Sequence, residues 1–138
     1  MDLPDLLTFE PWTDPEIDQH AEPPDGTYSR LAWLPTIGPS SWLIWTTIAG
    51  QLQRDRTVTW QSVTLASAHG LGHGTGRSSV LARTLDRLTR FHLLVPGEPT
   101  WLIRASAPPV SDSNLRRLPA FVQAVHLDTW RHYQRRAG

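Results

Sequence analysis

The chain has 138 residues with no cysteine, and its formal charges cancel at 13 basic against 13 acidic. That length fits one compact domain with extensions, and the missing thiol excludes disulfides, zinc–thiolate sites, iron–sulfur clusters and cysteine nucleophiles. The balance hides a split: residues 1–40 hold eight acids against Arg30, and residues 41–138 hold twelve arginines against five acids. An arm of about −7 therefore precedes a body of about +7, the footprint expected of a nucleic-acid binder.

The first unit, residues 1–39, is an acidic arm, and residues 1–40 carry seven prolines. Apolar spacing at 2 or 3.6 persists there for only a few residues. Little regular structure is expected, with Trp12, Tyr28 and Trp33 packing the arm partly onto the body. "MDLPDLLTFEPW" lacks the basic region and apolar run of a signal peptide, and no run of roughly 20 apolar residues spans a bilayer. A soluble, cytoplasmic protein without a membrane partner is expected.

The second unit spans 40–106. "LPTIGPSS" opens a helix with a serine cap at Ser40 or Ser41, and Trp42, Ile44, Trp45, Ile48, Ala49 and Leu52 give that helix a wide apolar face. "TVTW" suits a short strand. "QSVTLASAHGL" is a short helix carrying Val63, Leu65, Ala66 and Leu71 inward. After a glycine loop, in which Gly70 or Gly72 takes the left-handed conformation that ends a helix, a longer helix runs over 78–91. "HLLVPGEPTWLIR" then reads as a hairpin around a Pro-Gly turn.

The third unit, 107–138, begins irregularly and ends in a helix interrupted by Pro119. Leu118, Phe121, Val122 and Val125 form its expected apolar stripe. Trp130 and Tyr133 near its end extend the core or pair with a second subunit. The whole reads as mainly α with a small β-hairpin (α+β): a winged helix-turn-helix with an extended acidic arm and a C-terminal helix.

On a helical wheel of 100° per residue, Arg87 and Arg90 fall within 40° of Arg83, whereas Leu81, Leu85 and Leu88 fall opposite. One face is apolar and the other cationic, with Asp86 as its only acid. Arginine holds phosphate or bonds guanine bidentately, and serine hydroxyls with free N–H groups at a helix start hold phosphate. Arg77, Ser78, Ser79, Arg83, Arg87 and Arg90 are therefore the expected contacts to double-stranded DNA, with Arg104 at the end of the second wing strand meeting the backbone or minor groove. The bland alternative is a solvated arginine stripe.

Nucleotide motifs fail. A P-loop requires lysine, and this chain has none; GxGxxG lacks its third glycine. His69 and His73 are four apart without a third ligand, and Ser78 and Ser79 lack a GxSxG frame. No cofactor, metal or enzymatic activity is expected.

"PWTDPEID", "LAWLPTIGPSSWLI", "LASAHGLGHGTGRSSVLARTLDRLTRFHLL" and "LRRLP" together resemble a group of small winged-helix proteins of high-GC bacteria and their mobile elements. The resemblance covers most of the chain. It implies DNA binding and brings no operator, effector or catalytic residue with it.

A transcriptional regulator reading the major groove with helix 78–91 is the leading expectation, with a homodimer through the C-terminal helix as a possible arrangement. The competing one is a winged-helix protein-interaction module that docks a protein partner through the arginine face or the arm. A hybrid has the −7 arm covering the +7 body until DNA displaces it, so that deleting residues 1–30 tightens DNA binding.

Overall fold

The computed structural model describes the backbone of residues 2–137 and the side chains of residues 2–131. The chain is mixed α+β. Its sheet has the strands β1 (Leu6–Pro11), β2 (Val58–Gln61), β3 (Leu94–Val95) and β4 (Thr100–Ile103) in the order β2-β1-β4-β3. β1 runs antiparallel to β2 and parallel to β4, and β3 and β4 are antiparallel.

Around the sheet lie α1 (Pro15–Asp18), a π-helical segment (Ser29–Trp33) leading into α2 (Leu34–Ile37), α3 (Pro39–Gln51), α4 (Ser62–Ala68), α5 (Val80–Arg90), α6 (Asp112–Leu115) and α7 (Ala120–Ala137). From α3 onward the order is helix, strand, helix, helix, hairpin, as the periodicity predicts.

The arm departs most from expectation. Instead of lacking regular structure, it supplies β1, an internal strand with partners on both edges. Leu7 and Phe9 point into the core and are fully buried, while Leu6 and Glu10 face out. Two inward residues are too short an alternation to signal a strand, and here pairing on both sides decides the conformation. Deleting residues 1–30 removes the strand that joins β2 to β4, so this truncation disrupts the sheet as well as uncovering the body.

The arm is fastened at further points. The Trp33 indole N–H donates to the Pro108 carbonyl at 2.7 Å, Trp42 Nε1 donates to Ser29 Oγ at 3.0 Å, and Glu22 bridges Ala107. Trp45, fully buried, packs edge-on to Trp33 at 5.8 Å and donates to the Arg104 carbonyl at 2.8 Å. Each indole thus adds apolar area and satisfies its one donor.

Three local readings need correction. Helix α3 starts at Pro39 with Gly38 as its cap, and Ser41 is buried with its hydroxyl donating to the Thr84 carbonyl. Proline fits a first helical position because its missing N–H would have had no intrahelical partner. Val63 is exposed, leaving Leu65 and Ala66 as the buried residues of α4. Phe121 is also exposed, and α7 docks through Val122, His126 and Trp130 instead. That i, i+4, i+8 row includes a histidine, which a search for apolar residues passes over. The Tyr133 side chain lies outside the described residues.

Candidate nucleic-acid interface

The loop before α5 is set by the end of α4. Gly70 has φ +72°, its N–H donates to the Ser67 carbonyl, and the Leu71 N–H reaches back to Ala66. This pair of bonds is a Schellman closure, and half-buried Leu71 supplies its apolar contact. Gly72 is also left-handed, at φ +79°. A side chain at either glycine would meet nothing within 4 Å, so conformation and not crowding selects glycine there.

Helix α5 then begins on a cap. Ser79 is extended at φ −67° and ψ 159°, and its hydroxyl accepts from the Ala82 N–H at 3.1 Å. Leu81, Leu85 and Leu88 are buried on one side, and Ser41 of α3 bonds the Thr84 carbonyl on the same body. Opposite them Arg83, Arg87 and Arg90 are exposed, with Arg77 and Ser78 exposed just before the helix. The Arg87 guanidinium lies 5.9 Å from the Phe91 ring centre. Among the described residues, no ion pair engages any of these four arginines. The face is therefore mainly cationic, with Asp86 as its one acid and no ion pair formed, and it can take phosphate or base-edge acceptors.

Arg104 must be withdrawn from this surface. It is buried at 7% exposure, its guanidinium carbon lies 3.9 Å from the Trp12 ring centre, and Nη1 donates to the Trp12 carbonyl at 3.3 Å. Its position at the end of β4 follows the expectation. Its direction does not, because β1 extends alongside β4 and carries Trp12 over it.

A groove of about 840 Å³, with no counterpart among the sequence motifs, lies beside α5. Helix residues Arg83, Leu85 and Asp86 form one wall, Glu98 and Trp101 of the hairpin form another, and Leu3 with Asp2 closes the arm side. The arm is held there by the Leu3 N–H on the Thr75 carbonyl at 3.0 Å and by Asp2 Oδ1, which accepts from the Arg77 N–H at 3.3 Å. No local motif marks this groove: α5 and the hairpin are consecutive, but its third wall, Asp2 and Leu3, comes from the distant first residues of the arm.

The histidine pair does not converge. His69 Nδ1 lies 2.8 Å from the Leu65 carbonyl and Nε2 lies 2.8 Å from the Thr47 hydroxyl, so both ring nitrogens are engaged, while His73 is exposed. Among the described residues no group of three potential ligands gathers to hold a metal ion, and no helix is long and apolar enough to cross a membrane.

A buried polar cluster lies under α7. The Tyr28 hydroxyl accepts from the Val110 N–H at 3.0 Å and contacts His126 Nδ1 at 2.7 Å, and Trp130 packs edge-on to the phenol at 5.5 Å. Burial pushes Tyr28 up to about 12 against the pull of the Val110 N–H, and burial lowers His126 below the usual histidine value against the pull of Asp112. The cluster fastens α7 to the π-helical segment and lies apart from the arginine face. Comparison of the chain with known protein families, curated proteins and solved structures finds no match.

Proposed function

We propose that the chain is a winged helix-turn-helix protein that binds double-stranded DNA as a transcriptional regulator, with α5 in the major groove and the β3–β4 turn against the flanking backbone. The observation that carries this reading is the exposed row Arg83, Arg87 and Arg90, opposite buried Leu81, Leu85 and Leu88, in a helix reached through a glycine loop and followed by a hairpin. Arg77, Ser78 and the first N–H groups of α5 add phosphate contacts at the positively polarised helix start. The Ser79 hydroxyl serves as the cap, so its contribution runs through the helix start it fixes.

Four arginines on phosphate give a log–log salt slope of about −3.6, at roughly −0.9 per phosphate. Fluorescence anisotropy against labelled duplexes at stepped salt tests it. A second chain is part of the proposal: Phe121 and Leu127 on α7 are 61% and 62% exposed, and a two-fold pair of such proteins reads two half-sites. Should DNA binding be absent, the same arginine face would dock an acidic protein partner.

A further inference from the structure

We propose that the groove between α5 and the β3–β4 turn binds a free aromatic amino acid. This site goes beyond the DNA reading, and its binding is measurable without DNA.

The first support is charge placement. Arg83 and Asp86 are three apart on α5, a spacing that places their side chains on neighbouring positions about 5–6 Å apart at Cβ. Both line the groove and no ion pair joins them. A free amino acid carries ammonium and carboxylate on one carbon, so its two charges span this gap, the carboxylate towards Arg83 and the ammonium towards Asp86. Glu98, across the groove on the hairpin, adds a second acceptor for the ammonium, and Arg77 repeats the cation at the arm end.

The second support is the floor. Trp101 is half-buried on β4, opposite Phe9 in the parallel register, and the two rings meet edge-on at 6.3 Å. The indole is thus fixed by the core while part of it lines the groove beside Leu3 and Leu85. An aromatic side chain gains most from such a surface, through area and ring geometry. The groove volume of about 840 Å³ lies within the range of small-molecule sites.

Charge complementarity separates this occupant from the others. Carboxylates on all three walls, Asp2, Asp86 and Glu98, disfavour a small simple anion inside the groove. Arg77 and Arg83 repel an organic cation. A neutral zwitterion uses both signs.

The test is isothermal titration calorimetry of the full chain with L-phenylalanine, with N-acetyl-L-phenylalanine and L-phenylalaninamide as derivatives that each remove one charge. One-site binding by L-phenylalanine is expected, weakened at least ten-fold by either cap and by Arg83→Gln or Asp86→Asn. Both variants change exposed residues, and circular dichroism verifies that each is folded. Absence of heat at millimolar L-phenylalanine overturns the proposal, as does an unchanged Kd in either variant. Equal or tighter binding of the amide points to an organic-cation site, and of the N-acetyl derivative to an anion site; each result also overturns it. None of these outcomes bears on DNA binding, which is measured with no amino acid present.

Discussion

The Arg104 guanidinium carbon stands 3.9 Å from the centre of the Trp12 ring, joining the end of β4 to the chain just past β1. A desolvated cation–π contact of this kind contributes about 2 kcal/mol, and the bond to the Trp12 carbonyl adds to it. Arg104→Ala is expected to lower stability by roughly 2–3 kcal/mol in urea denaturation. It should leave the salt slope of any DNA complex unchanged, whereas the loss of an α5 arginine should reduce that slope by about 1.

Phe9 carries the matching prediction for β1. It is fully buried in an internal strand, and Phe9→Ala should cost about 3–5 kcal/mol from lost burial and the cavity left behind. Chemical denaturation measures this directly. A cost below about 1 kcal/mol would mean that the arm does not complete the core.

His126 makes the fold sensitive to acid. Its proton affinity in the folded chain is lowered by burial, and the Tyr28 hydroxyl, 2.7 Å from Nδ1, is placed to donate to the neutral ring. Above the ordinary value of 6.5 the ring is neutral whether the chain is folded or not. As pH falls below 6.5 the unfolded chain takes up the proton first, so stability drops until the folded-state value is passed. Tyr28, pushed up to about 12, gives the mirror effect, with stability falling as pH rises above 10. Thermal melts from pH 8 to 5 should show the acid loss in the native chain and a smaller one in His126→Gln.

Two glycines should respond with opposite signs. Gly50 sits in the last turn of α3, with nothing within 4 Å of an added methyl group. Gly50→Ala should stabilise by up to about 1 kcal/mol. Gly70 has equal space but φ +72°, and Gly70→Ala should destabilise by about 1 kcal/mol through left-handed strain. Paired melting curves check both signs.

Legibility in the sequence followed the range of the forces involved. Helix α5, expected over 78–91 and observed over Val80–Arg90, the left-handed glycine that closes α4 and the segregation of leucines from arginines are set by neighbours within a turn or two, and the spacing places each of them to within two residues. The β1 strand, the inward turn of Arg104 and the Trp101 groove depend on chain segments some 50 to 100 residues apart. Phe121 misled because hydrophobicity alone does not tell a core face from an outer one, whereas His126, which does face the core, is polar.

Fluorescence anisotropy reads the α5 surface itself, with a duplex selected from a random library and a scrambled control titrated against the native chain and the Arg83→Ala/Arg87→Ala variant. Tighter binding to the selected duplex is expected, with a salt slope near −3.6 at roughly −0.9 per phosphate and a slope shallower by about 1.8 in the variant. Failure to bind or enrich any duplex at low salt, or equal affinity of the native chain and the variant, would contradict the DNA-binding role of α5.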